Sequence, residues 1–234
     1  MFERVHHQRI AQVLNALNAN LLREANCLFG GGTAMALRFG EYRESVDMDF
    51  LVSDVASYRT LRQLLTGPAG FAGLLRAGTE PVSQTHELRA DQYGLRTTLQ
   101  VADQPIKFEI VLEARIELAA PATSDVVCGV ATLTALDMAT SKLLANSDRW
   151  SDDSVFSRDV IDLAMMRPSL HLLRQAKAKA EGAYGEAIGR DLEMAIAKLQ
   201  TRRDWLERCI QVMAMSLPKA VLWERIRSLR RVLA

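Results

Sequence analysis

The segment Gly30-Gly31-Gly32-Thr33 and the run Arg43-Glu44-Ser45-Val46-Asp47-Met48-Asp49-Phe50 constrain this chain more than any other part of it. The glycines open backbone conformations closed to other residues. Thr33-Ala34-Met35-Ala36-Leu37-Arg38 then reads as a helix that starts directly after Gly32, where free N–H groups and the helix dipole favour an anion. Asp47 to Val52 reads as a strand. Alternate strand residues share a face, so Asp47 and Asp49 lie about 7 Å apart on one side while Met48 and Phe50 turn to the other. A flexible turn facing paired carboxylates is the layout of a phosphate cradle opposite a metal site, and two such carboxylates can hold Mg²⁺ against a triphosphate. The glycines fit neither the P-loop nor the dinucleotide fingerprint spacing, so neither of those sites is supported.

A third carboxylate comes from Glu109, in Lys107-Phe108-Glu109-Ile110-Val111. Alone it reads as a sheet-face residue. Beside Asp47 and Asp49 it supplies what a two-metal site needs from a neighbouring strand. Thr33 and Ser45 add hydroxyls for phosphate oxygens. Beyond residue 131 a second cluster appears: Lys142 and Arg149, seven apart on one helix face, then Asp159 and Asp162, three apart on another. These four read either as surface ion pairs or, because apolar residues surround Lys142 and Asp162, as a lysine for a triphosphate with aspartates that orient it or a substrate hydroxyl.

The surrounding pattern sets the fold class. Residues 3–24 carry apolar positions at helical spacing, Cys27 to Phe29 a short strand, and 55–66 a helix. Residues 67–80 are punctuated by Gly and Pro around a short apolar piece. Tyr93–Val101 and Ile106–Leu112 read as a hairpin joined by residues 102–105, and Val126–Val130 as one more strand. Helical periodicity then dominates over 132–148, 155–166, 169–182, 187–215 and 218–233. The expectation is an α+β protein: a mixed sheet with flanking helices over residues 1–131, followed by a helical bundle over 132–234.

Charge is uneven. Residues 170–234 hold 13 Lys or Arg against 7 Asp or Glu, although the whole chain carries a formal charge of only +1. A basic C-terminal portion suits contact with phosphates. Cys27, Cys128 and Cys209 give neither a disulfide framework nor a zinc spacing and read as small core hydrophobes. The four histidines read as non-catalytic, and Trp150, Trp205 and Trp223 as packing residues. No apolar h-region or run of roughly 20 apolar residues appears, so a cytoplasmic protein without a membrane partner is expected.

Together, the GGT and SxDxDF segments, Glu109, Lys142, Arg149 and the RDxxDL run at 158–163 resemble the AbiEii/AbiGii toxin family of nucleotidyltransferases, within the DNA polymerase β-like superfamily. The similarity runs from about residue 28 to 165. It implies a nucleotidyltransferase-type sheet and the toxin of a two-component toxin–antitoxin system, with a cognate antitoxin as partner. The implied activity moves a nucleotide from an NTP to an acceptor, in some members the 3′ end of tRNA. By family position, Gly31, Gly32, Thr33 and Ser45 would bind phosphate and Asp47 and Asp49 metal, with essential roles at Lys142 and at Asp159 or Asp162. The third carboxylate is Glu here where the family pattern has Asp. Adenylylation of a small molecule or protein would use the same site, and a silent nucleotide- or partner-binding module would keep the fold alone.

Overall fold

The computed structural model describes residues 2–80 and 82–233. It divides into two compact units, Met1–Arg38 with Ser45–Thr134, and Phe39–Glu44 with Ala135–Ala234. The division thus falls a few residues beyond position 131, and the six residues 39–44 join the helical unit. Periodicity carries no signal for that exchange, because such a short segment is assigned by what it bonds to. Among the described residues no helix is long and apolar enough to cross a membrane.

In the first unit the expected N-terminal helix is two, α1 (Val5–Ala16) and α2 (Ala19–Glu24). The break has a local cause. Leu17 is extended and bridges to Leu75, and the Asn18 side chain caps α2 by accepting from Leu21 N at 3.2 Å. Next come β1 (Leu28–Gly30), α3 (Gly31–Arg38), β2 (Met48–Val52) and α4 (Val55–Thr66), the last capped by Asp54. A 3₁₀ turn, Gly70–Leu74, is the apolar piece inside the glycine-punctuated loop. The remaining strands are β3 (Ser83–Gln84), β4 (Arg89–Ala90), β5 (Gly94–Val101), β6 (Gln104–Leu112), β7 (Val126–Val127) and β8 (Val130–Ala131). The single strand expected over 126–130 is a miniature hairpin, turning at Cys128 and Gly129, both at positive φ as a tight two-residue turn demands.

The main sheet is mixed, in the order β1-β2-β6-β5-β3, with β4 also on β5. Strand β1 is antiparallel to β2, β2 parallel to β6, and β6 antiparallel to β5. Alternation sorts its faces. Phe29, Phe50 and Phe108 bury one face, their rings 5.3 and 5.2 Å apart, and Phe71 closes the row edge-on to Phe108 at 5.0 Å. Asp49, Lys107 and Glu109 of the same strands take the other face.

The second unit is helical: α5 (Ala135–Arg149), α6 (Arg158–Met165), α7 (Leu170–Tyr184), α8 (Ala187–Thr201), α9 (Trp205–Val212) and α10 (Lys219–Ser228). The long periodic stretch 187–215 is broken between α8 and α9, where Asp204 takes a left-handed conformation. Helix α5 packs against α6, α7 and α8, burying Leu143, Leu144, Leu173 and Leu192. Of the cysteines, Cys27 and Cys209 are buried and Cys128, in the β7–β8 turn, only partly so. Trp205 is buried and donates to Ser157 Oγ at 3.0 Å, with the Arg202 guanidinium 4.3 Å from its ring centre.

Candidate active site

One rung of the sheet organises the first unit's polar residues. Register pairs Gly30 with Asp49, Asp49 with Glu109, Glu109 with Arg96, and Arg96 with Arg89, so the line crosses five strands. Register partners point to the same side of a sheet, which puts Asp49, Glu109 and Arg96 on the face opposite the phenylalanines. Asp47 lies one residue before β2 rather than within it, and like Asp49 it is partly exposed, whereas Met48 and Phe50 are fully buried.

The glycine turn is pressed against this rung. Gly31 has φ +64°, and a Cβ built on it would overlap the Asp49 carboxylate. Glycine is therefore required twice, by the left-handed backbone and by the approach of Asp49. Gly31 and Gly32 form the first residues of α3 itself, two residues earlier than the helix expected from Thr33. Thr33 is buried, and its Oγ1 lies 2.8 Å from Ser45 Oγ, joining the two hydroxyls expected to contact phosphate. Ser45 N donates to His7 Nε2 at 3.3 Å. Fully buried on α1, His7 thus positions Ser45, a role that its place in the sequence gives no means to foresee.

Glu109 is committed elsewhere. Arg96 Nε donates to its Oε1 at 2.5 Å, and Arg96 Nη1 donates to Asp91 Oδ2 at 2.9 Å. Among the described residues no three His, Cys, Asp or Glu side chains come together closely enough to hold a metal ion. Of the expected set of Asp47, Asp49 and Glu109, the last two are register partners on neighbouring strands, and Arg96 is the counter-ion that occupies Glu109. A divalent metal, which nucleotidyltransferases generally use, still fits Asp47 and Asp49. Asp49 offers hard oxygen donors beside the glycine turn and Asp47 stands two residues before it, and Mg²⁺ is commonly held by one or two carboxylates together with substrate phosphates.

In the helical unit the structure brings together Lys142, Arg149, Asp159 and Asp162, and adds Tyr42 and Arg43. Lys142 Nζ lies 2.9 Å from Asp159 Oδ1 and 2.7 Å from Asp162 Oδ2. Arg149 grips Asp159 through Nε and Nη2, at 2.7 and 3.0 Å. Asp162, 0% exposed, accepts from Arg43 Nε and Nη2 at 2.6 and 2.9 Å and from Tyr42 Oη at 2.7 Å. These are not surface ion pairs, since Lys142, Asp159 and Asp162 are all buried.

Burial opposes both charged carboxylates but is outweighed. Lys142 and Arg149 hold Asp159 well below the usual carboxylate range, and Arg43 and Lys142 also lower Asp162. The Tyr42 hydroxyl is pushed up, first by burial and then by the Asp162 charge it faces. Three cations against two carboxylates leave the cluster with an excess positive charge. Lys142 donates to Asp159 and forms an ion pair with Asp162, which leaves its ammonium with donor capacity for a further acceptor.

The sequence reading missed Arg96, His7, Tyr42 and Arg43. For Arg96 a signal existed, because a hairpin with only Ala102 and Asp103 between its strands sets it opposite Glu109. A four-residue joint at 102–105 would set Thr98 there instead.

Comparison with known proteins gives the site its context. No curated protein sequence matches the chain significantly. Among solved structures it is similar to a candidate nucleotidyltransferase from H. pylori, at 18% identity and a TM-score of 0.49, covering 97% of this chain and 94% of that one. It is also similar to JHP933 from Helicobacter pylori, at 17% identity and a TM-score of 0.50, covering 97% and 91%. The second likeness concerns the fold alone. A family model described as nucleotidyl transferase AbiEii toxin, type IV toxin–antitoxin system, matches residues 12–229. That match spans nearly the whole chain, both polar clusters included, and the chain belongs to the AbiEii family of nucleotidyltransferase toxins.

Proposed function

We propose that this nucleotidyltransferase transfers a nucleoside monophosphate from an NTP to an RNA acceptor, the 3′ end of a tRNA, with Mg²⁺ and in the cytoplasm. The observation that carries the reading is the approach of the Gly31 turn to Asp49, which sets a backbone anion site against a carboxylate. In this reading Gly31, Gly32, Thr33 and Ser45 bind the phosphates, with His7 fixing Ser45. Asp47 and Asp49 hold Mg²⁺, which neutralises charge on the triphosphate. Glu109 is the third carboxylate, a role that requires Arg96 to release it. Lys142 offers an N–H to the triphosphate and Arg149 adds charge, while Asp159 and Asp162 fix the lysine's position. Without that fixing, a flexible four-carbon stem would lose rotamer entropy at each binding event. A cognate antitoxin completes the proposal, as a type IV toxin–antitoxin family implies.

The test is to incubate the chain with each labelled NTP in turn, Mg²⁺ and total RNA, and to identify which macromolecule takes up label. Label on tRNA from one NTP supports the proposal. Label on protein or on a small molecule, with none on RNA, replaces the acceptor. No transfer from any NTP overturns the activity.

A further inference from the structure

A second polar concavity lies within the helical unit, built by residues to which no role has yet been given. It is a pocket of about 320 Å³ between the end of α6, the start of α7 and α10, lined by Arg167, Ser169, Arg225, Ser228 and Arg231, with Glu224 in its wall. Three guanidiniums converge there, and among the described residues none is bonded to a carboxylate. Glu224 is directed to Arg227, at 3.7 Å.

Two of the three are held by neutral partners instead. Arg225 Nη1 reaches Met165 Sδ at 3.2 Å, and Arg231 Nη2 donates to the Pro168 carbonyl. Arg167 sits at φ +50° just past α6, a left-handed position that a long side chain rarely adopts. Each guanidinium has five N–H donors, so most remain unused. Ser169 Oγ accepts from Leu172 N at 3.1 Å, which leaves its own hydrogen to donate. Ser228 Oγ donates to Arg225 O at 2.7 Å and leaves lone pairs only.

Three like charges at one concavity repel unless an anion joins them. Bidentate donors on a preorganised frame, with a hydroxyl beside them, suit the tetrahedral oxygens of a phosphate group. We infer that this pocket binds backbone phosphates of the RNA acceptor, as an anchor separate from the nucleotide-binding residues. The inference rests on the reading of RNA as acceptor, and it gives the basic C-terminal portion a specific place of contact.

The experiment measures binding of fluorescein-labelled tRNA by anisotropy across a salt series, for wild type and for Arg167→Gln/Arg231→Gln. The double variant is expected to bind about tenfold or more weakly at low salt, and its log–log salt slope to fall by about 1.5 to 2, as loss of two phosphate contacts requires. NTP affinity by calorimetry and the thermal midpoint should not move. Arg167→Lys/Arg231→Lys should keep most of the slope, since charge is retained. An unchanged slope and Kd in the Gln variant overturn the inference. Full displacement of tRNA by inorganic phosphate at constant ionic strength also overturns it, because the pocket then serves a free phosphate. Unchanged tRNA binding with weakened capture of an acidic protein does so too. If the salt slope falls as expected but no RNA is labelled in the transfer assay, the acceptor assignment fails while the pocket stands.

Discussion

Arg96 and Glu109 face each other across β5 and β6, joined by a 2.5 Å hydrogen bond on the rung that also carries Asp49. The carboxylate beside Asp49 is thereby neutralised from its far side. Removing the arginine should expose a third negative charge next to Asp49. Arg96→Gln is expected to lower the Mg²⁺ concentration needed for half-maximal activity and to raise Mg²⁺ affinity by calorimetry several-fold. Because the pair is half-buried at the sheet surface and not in the core, stability should change by no more than about 1 kcal/mol. Unaltered Mg²⁺ affinity would show that Glu109 does not reach the metal.

Asp47→Ala and Asp49→Ala should each lower nucleotide incorporation by about a hundredfold or more, since in the proposed mechanism these carboxylates hold the metal that neutralises charge developing in phosphoryl transfer. Both side chains are partly exposed, so the thermal midpoint should hardly move. Labelled-NTP incorporation measured beside thermal melting separates the two effects. Undiminished transfer in both variants would remove the mechanism.

Gly31→Ala combines two penalties at one position. The left-handed backbone costs about 1 kcal/mol or more for a residue with a Cβ, and the added carbon must displace the Asp49 carboxylate. Transfer should fall together with metal affinity, and stability should drop by about 1 to 3 kcal/mol in urea unfolding. Gly40, also at positive φ but with open space around it, is the control: Gly40→Ala should lose stability alone.

Asp162→Asn should destabilise the helical unit by about 3 kcal/mol or more, because Arg43 and Lys142 would remain buried without the charge they share. Chemical denaturation measures the loss. If the variant folds, its KM for NTP should rise as Lys142 loses one of its two anchors, with incorporation kinetics as the readout.

The same network fixes an acid-side pH dependence. Asp159 and Asp162 titrate below the ordinary aspartate value of 3.8 in the folded chain, so the unfolded chain binds protons more readily in acid. The stabilisation is complete above that value and is lost as the pH falls below it toward the folded-state values. Thermal midpoints taken from about pH 6 to about pH 2.5 should be flat in this contribution at first and then fall. The fall should be shallower in Asp162→Asn if that variant folds.

What the sequence disclosed follows from how local each signal is. The glycine turn, the strand of Asp49, the hairpin of Glu109 and most helices depend on neighbouring residues, and they were legible. Helix α4 was expected at 55–66 and spans Val55–Thr66. The short strands β3 and β4, two residues each, carry too little alternation to stand out. The partners of the charged residues were the least visible. Arg96 depended on a turn length misjudged by two residues. Arg43 meets Asp162 across 119 positions of sequence, and only folding brings them together.

The placement of residues 39–44 has a consequence for synthesis. A ribosome delivers Tyr42 and Arg43 long before it delivers the aspartate that anchors them, because Asp162 comes more than a hundred residues later. The nascent first unit must therefore carry residues 39–44 unanchored between α3 and β2 while the rest of the chain is made. No single cut separates the units cleanly. A fragment ending at Thr134 would keep that segment and leave Arg43 without the carboxylate that binds it in the whole chain.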